Sequence, residues 1–166
     1  MKQTISILVQ NQAGVLSRIS GLFARRGYNI ESLAVGVTED KTLSRMTIVV
    51  EGNSYVAEQV EKQLNKLIDV IKVRRIPQGE LVCRELLMIK VAARQGERPD
   101  IVNICDIMGA KIADITLGTM TIELSDTPER VELIIEMLKP FSIREIVRTG
   151  TVALQKGTDT IGNGKK

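Results

Sequence analysis

The feature that most constrains this chain is a repeat: one order of apolar periodicities occurs twice along its 166 residues. Ile5, Ile7 and Val9 alternate with Thr4, Ser6 and Gln10, the mark of a strand with one buried face. A helix is predicted from about Gly14, because Val15, Ile19, Leu22 and Phe23 recur at helical spacing. Arg25 and Arg26 suit its last turn, where the helix dipole favours cations, and Gly27 suits the left-handed position beyond it. Residues 29–38 read as a second strand, 39–41 as a polar turn and 44–50 as a third strand. A second helix is expected from Ser54 to Lys66 and a fourth strand from Ile68 to Ile76.

Pro77-Gln78-Gly79 interrupts the pattern, and the same order then returns. Leu86 to Ala93 is an apolar strand. Pro99 opens a helix that Gly109 closes, and strands at 111–116 and 119–124 flank Leu117-Gly118. Thr127 is placed to cap a fourth helix with Pro128 at its first position, Pro140 ends it, and Ile143 to Leu154 reads as the last strand. The predicted class is therefore α+β, two tandem ferredoxin-like βαββαβ domains at residues 1–76 and 84–154. Residues 77–83 form a linker, and 155–166 (QKGTDTIGNGKK) have almost nothing to bury and read as a flexible tail. Such a unit packs both helices on one sheet face. Several strands nevertheless carry apolar residues on both faces, as Leu8 does beside Ile7 and Val9, so a covered second face or edge-joined sheets, hence a dimer or larger assembly, is expected.

Composition narrows the chemistry. The chain has no His, which excludes Ser-His-Asp and Cys-His catalysis and any His-containing zinc site. Its two cysteines, Cys83 and Cys105, make no C-x-x-C pair and lie in apolar segments, so they read as buried reduced thiols of a cytoplasmic protein. No apolar run approaches the roughly 18 residues of a membrane span, and the N-terminus lacks a signal-peptide layout. Residues 1–76 hold 11 Lys+Arg and 7 Asp+Glu, net +4, against 12 and 13, net −1, for residues 77–166. That is a weak hint of an acidic partner and falls short of a nucleic-acid-binding face. The first and third strands also lack the aromatics on which an RNA-binding sheet stacks bases.

The most informative stretch is the first strand-to-helix junction, Asn11-Gln12-Ala13-Gly14-Val15-Leu16. A helix amino end offers unpaired N–H groups and partial positive charge to a carboxylate. Gly14 lets a ligand approach the backbone, and the Asn11 amide can meet either end of a zwitterion. Asn29 could add a second amide, and Leu16, Ile30 and Leu33 an apolar wall for a short aliphatic side chain. The same residues also suit a plain turn and helix cap, and a free-standing amino-acid sensor or the regulatory piece of another biosynthetic enzyme remains open on these residues alone. No phosphate-loop pattern is present, and Arg74-Arg75 at a strand end reads as solvated charge or a partner contact.

The segment ILVQNQAGVLSRISGLFARRGYNIESLAVGVTEDKTLSRMTIVVEG resembles the start of the small regulatory subunits of acetolactate synthase (acetohydroxyacid synthase). The N-x-x-G-x-L-S-R turn, the R-R-G-Y-N-I-E-S-L and T-L-S-R-M-T-I segments, and the E-K-Q-L-N-K-L-I-D-V helix carry the likeness over residues 5–73. The first half is thereby similar to ACT domains, which bind amino acids. The resemblance implies a subunit with no catalysis and no cofactor of its own. Its partner would be a catalytic large subunit carrying thiamine diphosphate, Mg²⁺ and FAD. The subunit would activate that partner and make it sensitive to a branched-chain end product, usually valine. It also implies a homodimer of ACT domains whose interface holds the effector between the first-turn Asn and Gly of one chain and the second-strand Asn of the other. Here these are Asn11, Gly14 and Asn29, with Ala13, Val15, Leu16 and Ile30 as neighbours.

Overall fold

The computed structural model describes residues 1–162. The chain forms two compact units, Met1–Val82 together with the segment from Thr151 onward, and Cys83–Gly150. The N-terminal unit runs β1 (Lys2–Gln10), α1 (Val15–Arg26), β2 (Ile30–Val37), β3 (Leu43–Glu51), α2 (Ser54–Leu64) and β4 (Val70–Ile76). Its strands form a four-stranded antiparallel sheet in the order β2-β3-β1-β4. Register decides which side chains meet the helices: Ile5 stands opposite Ile48 and Ile7 opposite Met46, all at 2% exposure or less. Against them pack Val15, Ile19, Leu22 and Phe23 from α1 and Val60 and Leu64 from α2. The α1 helix ends at Gly27, after which the Tyr28 amide reaches back to Phe23 O (3.0 Å), and the Tyr28 ring meets Phe23 edge-on at 6.3 Å.

The C-terminal unit repeats the plan with β5 (Leu81–Ala92), α3 (Arg98–Met108), β6 (Lys111–Ile115), β7 (Thr119–Asp126), α4 (Pro128–Leu138) and β8 (Ile143–Arg148), its sheet ordered β6-β7-β5-β8. Leu87, Ile89 and Val91 of β5, each 0% exposed, face Ile101 of α3 and Val131, Ile134 and Leu138 of α4. Thr127 Oγ1 accepts from Arg130 N, and Pro128 opens α4 as its N-cap spacing requires. At the far end of the sheet Arg148 forks onto Glu85, Nε to Oε1 at 2.6 Å and Nη2 to Oε2 at 2.9 Å, and Nη1 reaches Glu132 Oε1 at 2.6 Å. Both units are thus ferredoxin-like, and the α+β class is the observed one. Among the described residues no helix is long and apolar enough to cross a membrane.

Four expectations differ from what is found. The 77–83 segment is ordered, a short 3₁₀ turn at Gln78–Glu80 running directly into β5 at Leu81. The strand read as continuous from 143 to 154 is two: β8 stops at Arg148, the chain turns at Gly150 (φ 79°), and β9 (Val152–Gln155), which pairs with β5 as the fifth strand of that sheet, belongs to the N-terminal unit. There it lies on the sheet face opposite the helices and touches three strands in succession. Thr151 N donates to Ser32 Oγ of β2 (2.7 Å), Ala153 O accepts from Arg45 Nη2 of β3 (3.0 Å), and Gln155 Oε1 accepts from Arg74 Nη1 of β4 (2.9 Å). Gln155 and Lys156 of the expected tail are therefore tied, Lys156 N donating to Glu80 O at 2.8 Å, while its last four residues, 163–166, lie outside the described residues. Finally, Cys105 is buried but Cys83 only half-buried; both thiols are free.

Candidate functional site

The β1–α1 junction is built by the turn next to it. In the β2–β3 turn the Asp40 carboxylate accepts from Thr42 Oγ1 (2.6 Å) and Thr42 N (2.9 Å), and these bonds hold it below the usual carboxylate range. The turn so fixed presents its carbonyls to Asn11: Thr42 O accepts from Asn11 N (2.7 Å) and Lys41 O from Asn11 Nδ2 (3.0 Å). With one N–H of its NH₂ group donated to Lys41 O, the Asn11 amide is oriented and its oxygen is placed to accept a hydrogen bond, as an ammonium would supply.

Gly14 occupies the N-cap of α1 at φ 87°, ψ −12°, a left-handed conformation that residues with a Cβ rarely adopt. It provides no side-chain cap, and the first turn of α1 holds no acidic residue. Two other helix starts are capped by side chains, Asn53 Oδ1 accepting from Val56 N at α2 and Thr127 serving α4, while α3, like α1, has no side-chain cap. Of the first amides of α1, Val15 N donates to Gln12 O (3.4 Å), and those of Leu16 and Ser17, with neither an intrahelical partner nor a side-chain cap, carry the partial positive charge of the helix start. Arg18, one turn on, adds a full charge. Its Nη2 lies 4.0 Å from where a Cβ on Gly14 would stand. Its Nη1 pairs with Asp69 Oδ2, a residue 7% exposed whose own carbonyl accepts from Gln10 N (2.9 Å) at the end of β1.

Sequence reasoning missed Arg18 and Asp69 as parts of this junction. Arg18 carried a signal, being four residues and hence one helical turn from Gly14, but its partner is 51 residues away. Of the named neighbours, Ala13 and Leu16 are exposed, Leu16 at 44%, so both are open to a ligand. Val15 is not: its side chain is 3% exposed in the core, so only its backbone borders the junction. Asn29 is exposed and Ile30 half-buried, but they follow Gly27, at the other end of α1. A helix of 12 residues is about 18 Å long, so one chain does not bring Asn29 to Gly14.

The match to known proteins follows this architecture. Residues 5–72 fit the AHAS small subunit-like ACT domain, and residues 84–157 fit the family described as the small subunit of acetolactate synthase. The acetolactate synthase small subunit of Mycolicibacterium smegmatis is 46% identical over 162 residues, 98% of this chain and 95% of that protein. The chain belongs to the acetolactate synthase small-subunit family. The Mycobacterium leprae small subunit is likewise 46% identical over 159 residues, 96% of this chain and 94% of that one. The crystal structure of the Thermotoga maritima acetolactate synthase small subunit superposes with a TM-score of 0.89 at 37% identity, covering 96% of this chain and 99% of that one. Membership makes this a regulatory-type subunit, and the name small subunit implies a catalytic large-subunit partner.

Proposed function

We propose that this chain activates the thiamine-diphosphate-dependent large subunit of acetolactate synthase and makes it sensitive to feedback inhibition by valine. The observation that carries the effector site is the uncapped start of α1. Gly14 gives the Leu16 and Ser17 amides no side-chain cap, Arg18 stands beside them, and Asn11 is held with its oxygen to spare. A carboxylate fits the amides and the guanidinium, an ammonium fits the Asn11 oxygen, and Leu16 offers apolar surface to an aliphatic side chain.

The distance between Asn11–Gly14 and Asn29 along α1 supports a site completed by two chains. The chemistry of β2 supports the same reading. It is an edge strand with no cation, and its Val35 and Val37 are 47% and 58% exposed. A second copy paired along that edge would cover both valines and bring the two ends of α1 helices from different chains together. Valine then shifts the large subunit only by the difference in its affinity for the paired and other states, typically about 1–3 kcal/mol of coupling. The thiamine diphosphate, Mg²⁺ and FAD belong to the large subunit, and this chain's part is to bind effector and partner.

Reconstitution tests the reading. Mixing this protein with a family large subunit is expected to raise acetolactate formation, and valine to reverse the rise. An acetolactate rate unchanged by the protein, with or without valine, would overturn it. Chains carrying Asn11→Ala and Asn29→Ala are each expected to bind valine poorly alone. Their mixture recovers part of the binding if two chains share a site.

A further inference from the structure

The two edges of the N-terminal sheet differ in chemistry. β2 (IESLAVGV) carries one anion and no cation, whereas β4 (VIKVRRI) carries three cations and no anion. Among the described residues β4 pairs within the sheet with β1 alone, so its outer row of N–H and C=O groups is a template for another strand. Beside it lies an open groove of about 490 Å³ whose lining includes Gln3, Glu61, Lys72, Arg74, Arg75 and Pro77. Register puts Arg74 opposite Ser6 and Lys72 opposite Leu8, on the sheet face away from the helices. Arg75 falls on the helix side, where its Nε donates to Glu61 Oε2 at 2.8 Å and its Nη1 to Ser54 O at 3.4 Å. Arg74 meets a neutral partner, Gln155. Among the described residues that line the groove, cations stand on both sides of the strand edge with one carboxylate, that of Glu61, which pairs with Arg75.

We propose that the β4 edge docks an extended acidic segment of the catalytic large subunit, which adds to the sheet as a further strand. The identity of the partner rests on the functional reading above; the surface itself rests on charge, groove and open edge. Main-chain hydrogen bonds along β4 supply affinity for any extended chain, and Lys72, Arg74 and Arg75 select one bearing carboxylates. A second copy of this chain does not fit here, because pairing two β4 edges sets Lys and Arg against Lys and Arg. Cations on an edge strand can also serve only to repel other strands, and the test separates that role from docking.

The experiment titrates a family large subunit with the full-length protein and follows both complex formation and activation. It compares wild type, Lys72→Glu, Arg75→Glu and the double variant at about 50 and about 300 mM NaCl. At low salt the double variant is expected to need at least about tenfold more protein for half-saturation, with the single variants in between, and wild type to weaken by about tenfold or more at high salt. Valine affinity and the mass of the protein's own oligomer stay as in wild type. A double variant that saturates within about twofold of wild type overturns the proposal, and the more so if it now self-associates, because the cations then only guard the edge. Salt-independent binding of wild type overturns it too, without reliance on any variant folding. Failure of wild type to bind the large subunit at either salt overturns the functional reading itself, and this docking site with it.

Discussion

Gly14 sits where backbone strain and ligand charge can be separated by two substitutions. At φ 87° any residue with a Cβ is strained, by about 1–2 kcal/mol for the left-handed region. Nothing else opposes a side chain there, since the nearest atom to the added Cβ is Arg18 Nη2 at 4.0 Å, an ordinary contact. Gly14→Ala is thus expected to cost about 1–2 kcal/mol and lower Tm by about 2–8 °C. Gly14→Asp pays less strain, because a short polar side chain at φ > 0 bonds its own backbone. It is expected to melt no lower than the alanine variant. For effector the order inverts. The introduced carboxylate occupies the place of the effector carboxylate and pairs with Arg18, removing hydrogen bonds to a charged group worth about 1.5–3 kcal/mol each. The loss of even one weakens valine binding by about 10- to 150-fold, against at most a few-fold for alanine. Calorimetric titration with valine and thermal melts of the three proteins give both orders. Valine binding by Gly14→Asp within threefold of wild type would refute the carboxylate site. An equal loss in both variants would show that backbone shape, and not charge, governs the junction.

Two further predictions concern stability and thiol chemistry. Arg148→Ala leaves Glu85, 4% exposed, as a buried carboxylate without its fork, at an expected cost of about 2–4 kcal/mol in urea unfolding. Replacing both at once, Glu85→Leu with Arg148→Met, is expected to recover most of that loss, and a double variant as unstable as the single would contradict the account. Burial pushes both thiols above their ordinary values, assisted by Glu129 at Cys83 and Asp106 at Cys105. Alkylation followed by mass spectrometry at pH 7 is therefore expected to be slow at both, to accelerate as pH rises, and to label half-buried Cys83 well before Cys105, which is 2% exposed. Equal rates would count against the thiols' different burial.

What was legible in this sequence was what is local. Val15, Ile19, Leu22 and Phe23 announce α1 because each helical turn repeats the same demand, and Thr127-Pro128 announces α4 because cap and first residue are neighbours. The paired units followed from the repetition of those local signals. The last strand was misread for the opposite reason. I-V-R-T-G-T-V-A-L is β-prone throughout, and the one glycine in it does not say that residues 151–155 leave β8 for Ser32, Arg45 and Arg74, residues 119, 108 and 81 positions away from their respective partners. That segment also bears on the expectation of a dimer, since it covers part of the sheet face whose apolar residues had suggested a partner. The surface on which the proposed second copy would pair is thus the β2 edge, with exposed Val35 and Val37, and not the sheet face. The site divides along the same line. Asn11 and Gly14 were readable because a strand-to-helix turn is a local object. Arg18 acquires its meaning only through Asp69, brought to it by the β1–β4 pairing, so a charge that looks like solvated helix surface becomes the cation beside the open amides. Asn29 goes a step further. The fold holds it at the opposite end of α1 from Gly14, so its proposed place in the site would depend on a contact that no single chain contains.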